Sequence, residues 1–162
     1  MRNDVFLLLG SNLNDPVSQL ETARKEILHE VGPIMRTSSL YKTAPWGVTK
    51  QPAFYNQVVA IETMLSPEML LRATQDIEKK MGRERKEKWG ARVIDIDILF
   101  YGDAVIQSDT LTIPHPRLTE RRFTLVPLDE IAPDFLHPVL QKKVRSLLEA
   151  CPDTLAVERI LL

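Results

Sequence analysis

The sequence predicts an α+β domain, and three observations carry that prediction. The runs at 5–9, 54–64 and 93–100 are strand-length and largely apolar. The stretches 16–31 and 67–81 place their apolar residues at helical spacing. With a further strand-like stretch at 34–42, the order along the chain is strand, helix, strand, strand, helix, strand.

Each element has its own signals. The first run ends at Gly10-Ser11-Asn12, which reads as turn chemistry. Asp15 offers a helix cap and Pro16 suits the first helical position. Val17, Leu20, Ala23, Ile27 and Val31 form one stripe, and Gly32-Pro33 ends the helix. Residues 34–42 are rich in Thr, Ser and Tyr and read as one strand; residues 43–52 hold two prolines and a glycine and read as a loop. Ser66 and Pro67 open the second helix, with Leu70, Ala73, Ile77 and Met81 as its stripe and Gly82 as its stop. Short strand-like pieces at 105–106 and 111–113, a proline-punctuated segment and a helix over 141–150 follow as a C-terminal extension. The expected architecture is the ferredoxin-like βαββαβ plan, a mostly antiparallel sheet with both helices packed on one face.

Composition sets the frame. A chain of 162 residues is the size of one domain, so a single domain over 1–162 is expected. A net charge of −1 argues against general nucleic-acid binding and against a basic membrane surface. No run reaches the roughly 20 apolar residues of a membrane span, and the first run is too brief for a signal peptide. Cys151 is the single cysteine, which excludes an internal disulfide and fits a reducing cytoplasm. The expected partners are small molecules, with no nucleic acid or membrane, and the chain is expected to be a cytoplasmic monomer.

The stretch VIDIDILF, 93–100, sets Asp95 and Asp97 in an apolar strand. Alternation puts Ile94, Ile96, Ile98 and Phe100 on one face and both aspartates on the other, roughly 7 Å apart. Two anions held that close repel, and a hard divalent cation relieves the repulsion; Mg²⁺ takes one or two carboxylates plus substrate phosphate oxygens. A bare D-x-D is as often solvated or paired with arginine. The preceding GRERKEKWGAR, 82–92, adds Arg83, Arg85, Lys86, Lys88 and Arg92 against two glutamates. That excess suits a polyphosphate held by guanidinium forks on one side and metal on the other. No G-x-x-x-x-G-K-[ST] loop is present, so the phosphates would not sit in a P-loop.

Phe54 and Asn56 share a strand face, where a flat heterocycle could stack on the ring and pair its edge with the amide. Phe123 could close the other side; core packing is the plainer role for either ring. His115 lies between two prolines near basic residues and suits a phosphate ligand better than a nucleophile role. His29 and His137 carry no such signal.

KWGARVIDIDILFYG resembles the signature of the 6-hydroxymethyl-7,8-dihydropterin pyrophosphokinase family of folate biosynthesis. The blocks LLLGSNLNDP, SSLYKTAPWG, FYNQVVAIET and TIPHPRLTERRFTLVPLDEIAP agree in order and spacing, so the resemblance covers nearly the whole chain. It implies the ferredoxin-like fold and pyrophosphoryl transfer from ATP to the pterin hydroxymethyl oxygen, with AMP leaving. It implies ATP as co-substrate and two Mg²⁺ ions held by Asp95 and Asp97. Arg83 and Arg92 match the family's phosphate-contacting arginines, and Arg85 another in the same loop. Gln75, Glu78, Trp89, Ile98, Thr112, His115 and Arg121 match positions at the nucleotide site. Thr43, Trp46, Phe54, Asn56 and Phe123 match the pterin pocket. Phe54 stands where some members have Tyr, Thr110 where some have a basic residue, and the 82–89 loop is one residue shorter than in some.

The implied mechanism is positioning plus charge neutralisation, with no evident general base. Loops 44–51 and 82–91 are expected to close over ATP, with Trp89 as a probe. Two other classes compete. A ferredoxin-like sheet can bind single-stranded RNA, but this one lacks the RNP aromatics and carries paired acids. A D-x-D nucleotide-sugar transferase would need a larger nucleotide-binding domain.

Overall fold

The computed structural model describes residues 2–44, 52–82 and 93–161. Its centre is a sheet of six strands: β1 (Arg2–Ser11), β2 (Ile34–Thr37), β3 (Leu40–Thr43), β4 (Phe54–Thr63), β5 (Asp95–Tyr101) and a last strand, β8 (Val157–Ile160). The order is β5-β1-β4-β3-β8, with β2 also on β4, and every pairing is antiparallel. A small second sheet joins β6 (Ile106–Gln107) to β7 (Thr112–Ile113).

Helices cover both faces of the large sheet. On one, α1 (Pro16–Glu30) and α2 (Pro67–Lys80) bury Leu20, Ala23, Ile27, Leu70 and Ile77 against Leu7, Leu9, Ile61, Ile94, Ile96 and Ile98. On the other, α3 (Arg122–Ile131) and α4 (Val144–Glu149) bury Leu125, Leu128, Val144 and Leu147 against Phe6, Leu8, Val58 and Ala60. The mixture of helices with an antiparallel sheet is as expected. The second helical layer is new: the proline-punctuated segment contains α3, which carries Pro127 inside it.

Local details depart from the pattern for physical reasons. Ser66 caps α2 as expected, its hydroxyl accepting from the Met69 N–H. Asp15 does not cap α1 with its side chain; it takes a left-handed backbone with φ 60°, and Pro16 begins the helix unaided. Residues 34–42 form two strands, because Ser38 keeps only half of its ladder pairing: its N–H donates to the Val58 carbonyl, but its hydroxyl replaces its carbonyl as acceptor for Val58 N–H, and Gln57 donates to that carbonyl. Gly10 and Ser11 remain in β1, so they do not form the turn. The last helix is shorter than 141–150, spanning Val144–Glu149.

The departure that most shapes the site is a bulge in β5. Phe6 pairs with Phe100 but Leu7 with Ile98, leaving Leu99 as the extra residue. Alternation therefore fails at Phe100. It leaves the isoleucine face and packs with Phe6 at 6.1 Å and Phe135 at 4.7 Å between ring centroids. The bulge lies beyond the aspartates, so Ile94, Ile96 and Ile98 keep the α1–α2 face and Asp95 and Asp97 keep the α3 face. The Leu99 carbonyl accepts from His115 N–H at 3.0 Å, which fastens the chain after β7 along this edge strand.

Candidate functional site

The strand register assembles the site. Asp95 pairs with Gly10, Gly10 with Asn56 and Asn56 with Tyr41, so one row crosses β5, β1, β4 and β3. Directly paired residues share a face, so the carboxylate and the amide stand on the same side of the sheet, two strand spacings or roughly 10 Å apart. Between them is a residue without a side chain. The next row pairs Asp97 with Leu8, and the row beyond Asn56 pairs Phe54 with Thr43. Above these rows opens a cavity of about 580 Å³. It is lined by Thr43, Phe54, Asn56, Asp95, Asp97, Arg121 and Phe123 among the expected residues.

The empty position at Gly10 is structural to that space. A Cβ built there would lie 2.7 Å from Asn56 Nδ2. The amide end of Asn56 is free to swing away, so the fold can absorb the clash while the amide leaves its place. Gly10→Ala should therefore raise the Michaelis constant for a ligand read by Asn56 about tenfold, leaving the melting temperature nearly unchanged. Steady-state kinetics beside a melting curve checks this; an unchanged constant contradicts the role given to Gly10.

Asn56 is 5% exposed, and its Nδ2 reaches the Leu9 carbonyl at only 3.5 Å. Such a long bond leaves most of the amide's hydrogen-bonding capacity for a ligand. Thr43 is 4% exposed, and among the described residues its hydroxyl has no hydrogen-bond partner. Arg121 lies over the Phe123 ring, 5.6 Å from its centroid, which couples a cation to an aromatic wall.

The helix that carries Phe123 is fixed to the sheet through Glu130. That carboxylate accepts from Tyr41 Oη at 2.7 Å and from the amide and hydroxyl of Ser39, both at 2.9 Å. Burial pushes its pKa up, but these donors and Arg159 outweigh burial and hold it below the usual value. Tyr41 moves the other way, to about 12, through burial and then the Glu130 anion.

The remaining expected residues divide. Gln75 and Glu78 lie on α2, away from the cavity lining, Gln75 exposed and Glu78 buried. Glu78 accepts from the Ile96 N–H at 2.7 Å, clamping the backbone between the two aspartates. Ile98 is buried in the core beneath α1 and α2, and so does not line the cavity. Thr112 lies in β7 and His115 just after it, also outside the lining. Arg83, Arg85, Trp89, Arg92 and Trp46 lie outside the described residues, as do the two loops expected to close apart from their first residues, Ala44 and Gly82. The cavity adds residues that sequence reasoning missed: Leu8, Gly10, Ala44, Arg117, Glu120, Pro152, Asp153 and Leu155. Arg117 stood in the TIPHPR block and was legible by charge; the last three have no local signal.

His115 has a defined protonation state. Its Nδ1 accepts from the Arg117 N–H at 3.1 Å, which assigns the proton to Nε2 in the neutral ring. Burial, then Arg121 and Arg117, lower its pKa to about 4. The unfolded chain therefore binds this proton first as pH falls. The neutral ring's contribution to stability is complete above pH 6.5 and is lost as pH drops toward 4. Burial of His137 acts in the same direction. An NMR titration should find the His115 ring neutral at pH 5.5; a ring that titrates near 6.5 contradicts the geometry.

Asp95 and Asp97 suit a divalent cation. Both are partly exposed on one strand face and open into the cavity, while Ile96 between them points into the core. Among the described residues no cluster of three or more His, Cys, Asp or Glu could hold a metal. An ion held by two carboxylates alone would take its other ligands from phosphate oxygens and water. No described helix is long and apolar enough to cross a membrane.

Comparison with known proteins gives one answer. Residues 6–133 match the family described as 7,8-dihydro-6-hydroxymethylpterin-pyrophosphokinase. The chain is 48% identical over 134 residues to a 2-amino-4-hydroxy-6-hydroxymethyldihydropteridine pyrophosphokinase of Haemophilus influenzae, covering 82% of this chain and 84% of that one. An Aquifex aeolicus protein of the same name is 41% identical, covering 87% of this chain and 88% of that one. The Schizosaccharomyces pombe folic acid synthesis protein fol1 is 43% identical over 91% of this chain, which spans only 20% of that larger protein. Among solved structures, a Plasmodium falciparum HPPK-DHPS shares the fold at a TM-score of 0.76 and 22% identity, over 93% of this chain and 44% of that one.

Proposed function

The chain belongs to the 7,8-dihydro-6-hydroxymethylpterin-pyrophosphokinase family, and on that premise we propose that its cavity reads a pterin with Asn56 and turns the pterin hydroxyl toward a triphosphate at Asp95 and Asp97. The reaction moves pyrophosphate from ATP to the hydroxymethyl group of 6-hydroxymethyl-7,8-dihydropterin, a step of folate biosynthesis. The hydroxymethyl oxygen bonds to the β-phosphorus, the bridge between the α- and β-phosphates breaks, AMP leaves and the hydroxyl proton passes to solvent.

One observation carries the assignment of residues. The row Asp95–Gly10–Asn56 sets a carboxylate and an amide on one face of one cavity, which supports metal binding by the first and edge reading by the second. Phe54 and Phe123 flank that space and supply the stacking surfaces for the ring. Asn56 offers one donor and one acceptor to its edge, and the Thr43 backbone borders the same end. Asp95 and Asp97 would hold two Mg²⁺ ions, whose bound charge would neutralise the triphosphate and the bridging oxygen as it leaves. Glu78 keeps the Asp95–Asp97 backbone in register through Ile96. Arg121, beside Phe123, and the Nε2–H of His115 donate to phosphate oxygens; Arg83, Arg85 and Arg92 add guanidinium contacts. Gln75, Trp89, Ile98 and Thr112 serve the nucleoside, and Trp46 the pterin end. The strand order β5-β1-β4-β3 supports the ferredoxin-like plan, with the chain after β5 as an extension forming the second helical layer. We read the chain as one domain and as a cytoplasmic monomer.

Incubation with ATP, Mg²⁺ and hydroxymethyldihydropterin should yield AMP and the pterin diphosphate in equal amounts. Production of ADP, or no nucleotide product, would overturn the proposal.

A further inference from the structure

The cavity has a wall that the family match does not reach. The match ends at residue 133, yet Pro152, Asp153 and Leu155 line the same space as Asn56 and Phe123. They belong to the crossing from α4 to β8, and β8 pairs Val157 with Thr43, itself a cavity residue. The crossing is therefore held at its far end by the strand that forms the pocket floor.

Its near end is held by Asp153. One carboxylate oxygen accepts from the Arg122 N–H at 3.0 Å, and the other from the Leu155 N–H at 2.9 Å. Arg122 is the first residue of α3, and the preceding residue, Arg121, makes no side-chain cap. A carboxylate from 31 residues away thus supplies the acceptor that the helix start lacks. Phe123 is the next residue along. The same side chain therefore fixes the aromatic wall on α3 and the apolar wall at Leu155, one through each oxygen.

We propose that Asp153 is a positioning residue for the pterin, setting the separation between Phe123 and the 152–155 wall. The inference rests on the assignment of this cavity to the pterin. Asp153 acts through backbone amides and need not touch the substrate. Its effect falls mainly on the pterin: the aspartates and His115 are fixed separately, by the β5 register, Glu78 and the Leu99 carbonyl, and of the described residues assigned to the phosphates only Arg121, next to Arg122, shares this anchor.

The test compares Asp153→Ala and Asp153→Asn with the wild type. Two readouts are needed: the dissociation constant of hydroxymethyldihydropterin, followed by its own fluorescence in the absence of ATP, and the Michaelis constants for pterin and ATP. Asp153→Ala should weaken pterin binding about tenfold and leave the ATP constant within about twofold. Asp153→Asn keeps one acceptor oxygen and the side-chain shape, so it should fold and fall between the two. If Asp153→Ala does not fold, Asp153→Asn decides alone, with a loss of about threefold or more expected. Pterin binding equal to wild type in the folded variants overturns the proposal, as does an equal rise in both Michaelis constants. A wild type that binds pterin but makes no AMP would overturn the assigned reaction while the binding ratio still judges Asp153. A wild type that binds no pterin overturns both.

Discussion

Asp97→Ala should lower the rate of AMP formation by about 10²- to 10³-fold, the usual loss when one group aimed at developing transition-state charge is removed. Binding of the pterin alone should stay within about twofold of wild type, because Asp97 pairs with Leu8, one row from the Gly10–Asn56 pair. The fold should tolerate the change, since Asp97 is partly exposed and opens into the cavity. Single-turnover assays over a range of Mg²⁺ concentrations, with fluorescence binding of the pterin, check both halves. A variant that keeps most of its Mg²⁺-dependent turnover would remove Asp97 from the metal site.

Asn56→Ala should act on the other substrate. Loss of the amide removes a donor and an acceptor from the pterin edge, and at about 1 to 1.5 kcal/mol for each hydrogen bond affinity should fall about 10²-fold. The ATP Michaelis constant should not follow. The cost to the protein is small, because the internal bond given up is the long one to Leu9 at 3.5 Å. Equal losses for ATP and pterin would mean that Asn56 supports the sheet and does not read the ligand. Gly10→Ala moves the same amide without deleting it, so its smaller effect should lie in the same direction.

Much of the site was legible because it is written along strands. The D-x-D alternation places Asp95 and Asp97 on one face without any tertiary knowledge, and the same rule pairs Phe54 with Asn56. What a single strand does not contain is its register. Nothing local says that Gly10 stands between Asp95 and Asn56, so Gly10 reads as a turn residue until the pairing is known. The β5 bulge is hidden for a related reason. ILFY is uniformly apolar, so the switch of Phe100 to the other face leaves no mark in polarity, and it is Phe6 and Phe135 that draw the ring across.

The second helical layer was hidden by its own composition. Pro127 lies within α3, and proline inside a helix ordinarily argues against one. The helix forms because Leu125 and Leu128 bury fully against the sheet and Glu130 bonds to Tyr41 and Ser39. Strand β8 is four residues with exposed Glu158 and Arg159 at its centre, and only the open edge of β3 makes it a strand. Asp153 follows from both: without α3 and β8 placed, an aspartate near the end of the chain has no amides to reach.

In the proposed assignment, one face of this sheet brings the pterin, read at Asn56, up to a metal-bound triphosphate at Asp95 and Asp97. A crystal structure with hydroxymethyldihydropterin, Mg²⁺ and an ATP analogue carrying a methylene bridge between the α- and β-phosphates tests it most directly, since that bridge cannot break. The pterin ring should lie between Phe54 and Phe123 with its edge on Asn56, metal on both aspartates, and the hydroxyl oxygen facing the β-phosphorus in line with the bridge. A pterin bound outside this cavity, or metal that touches neither aspartate, would contradict it.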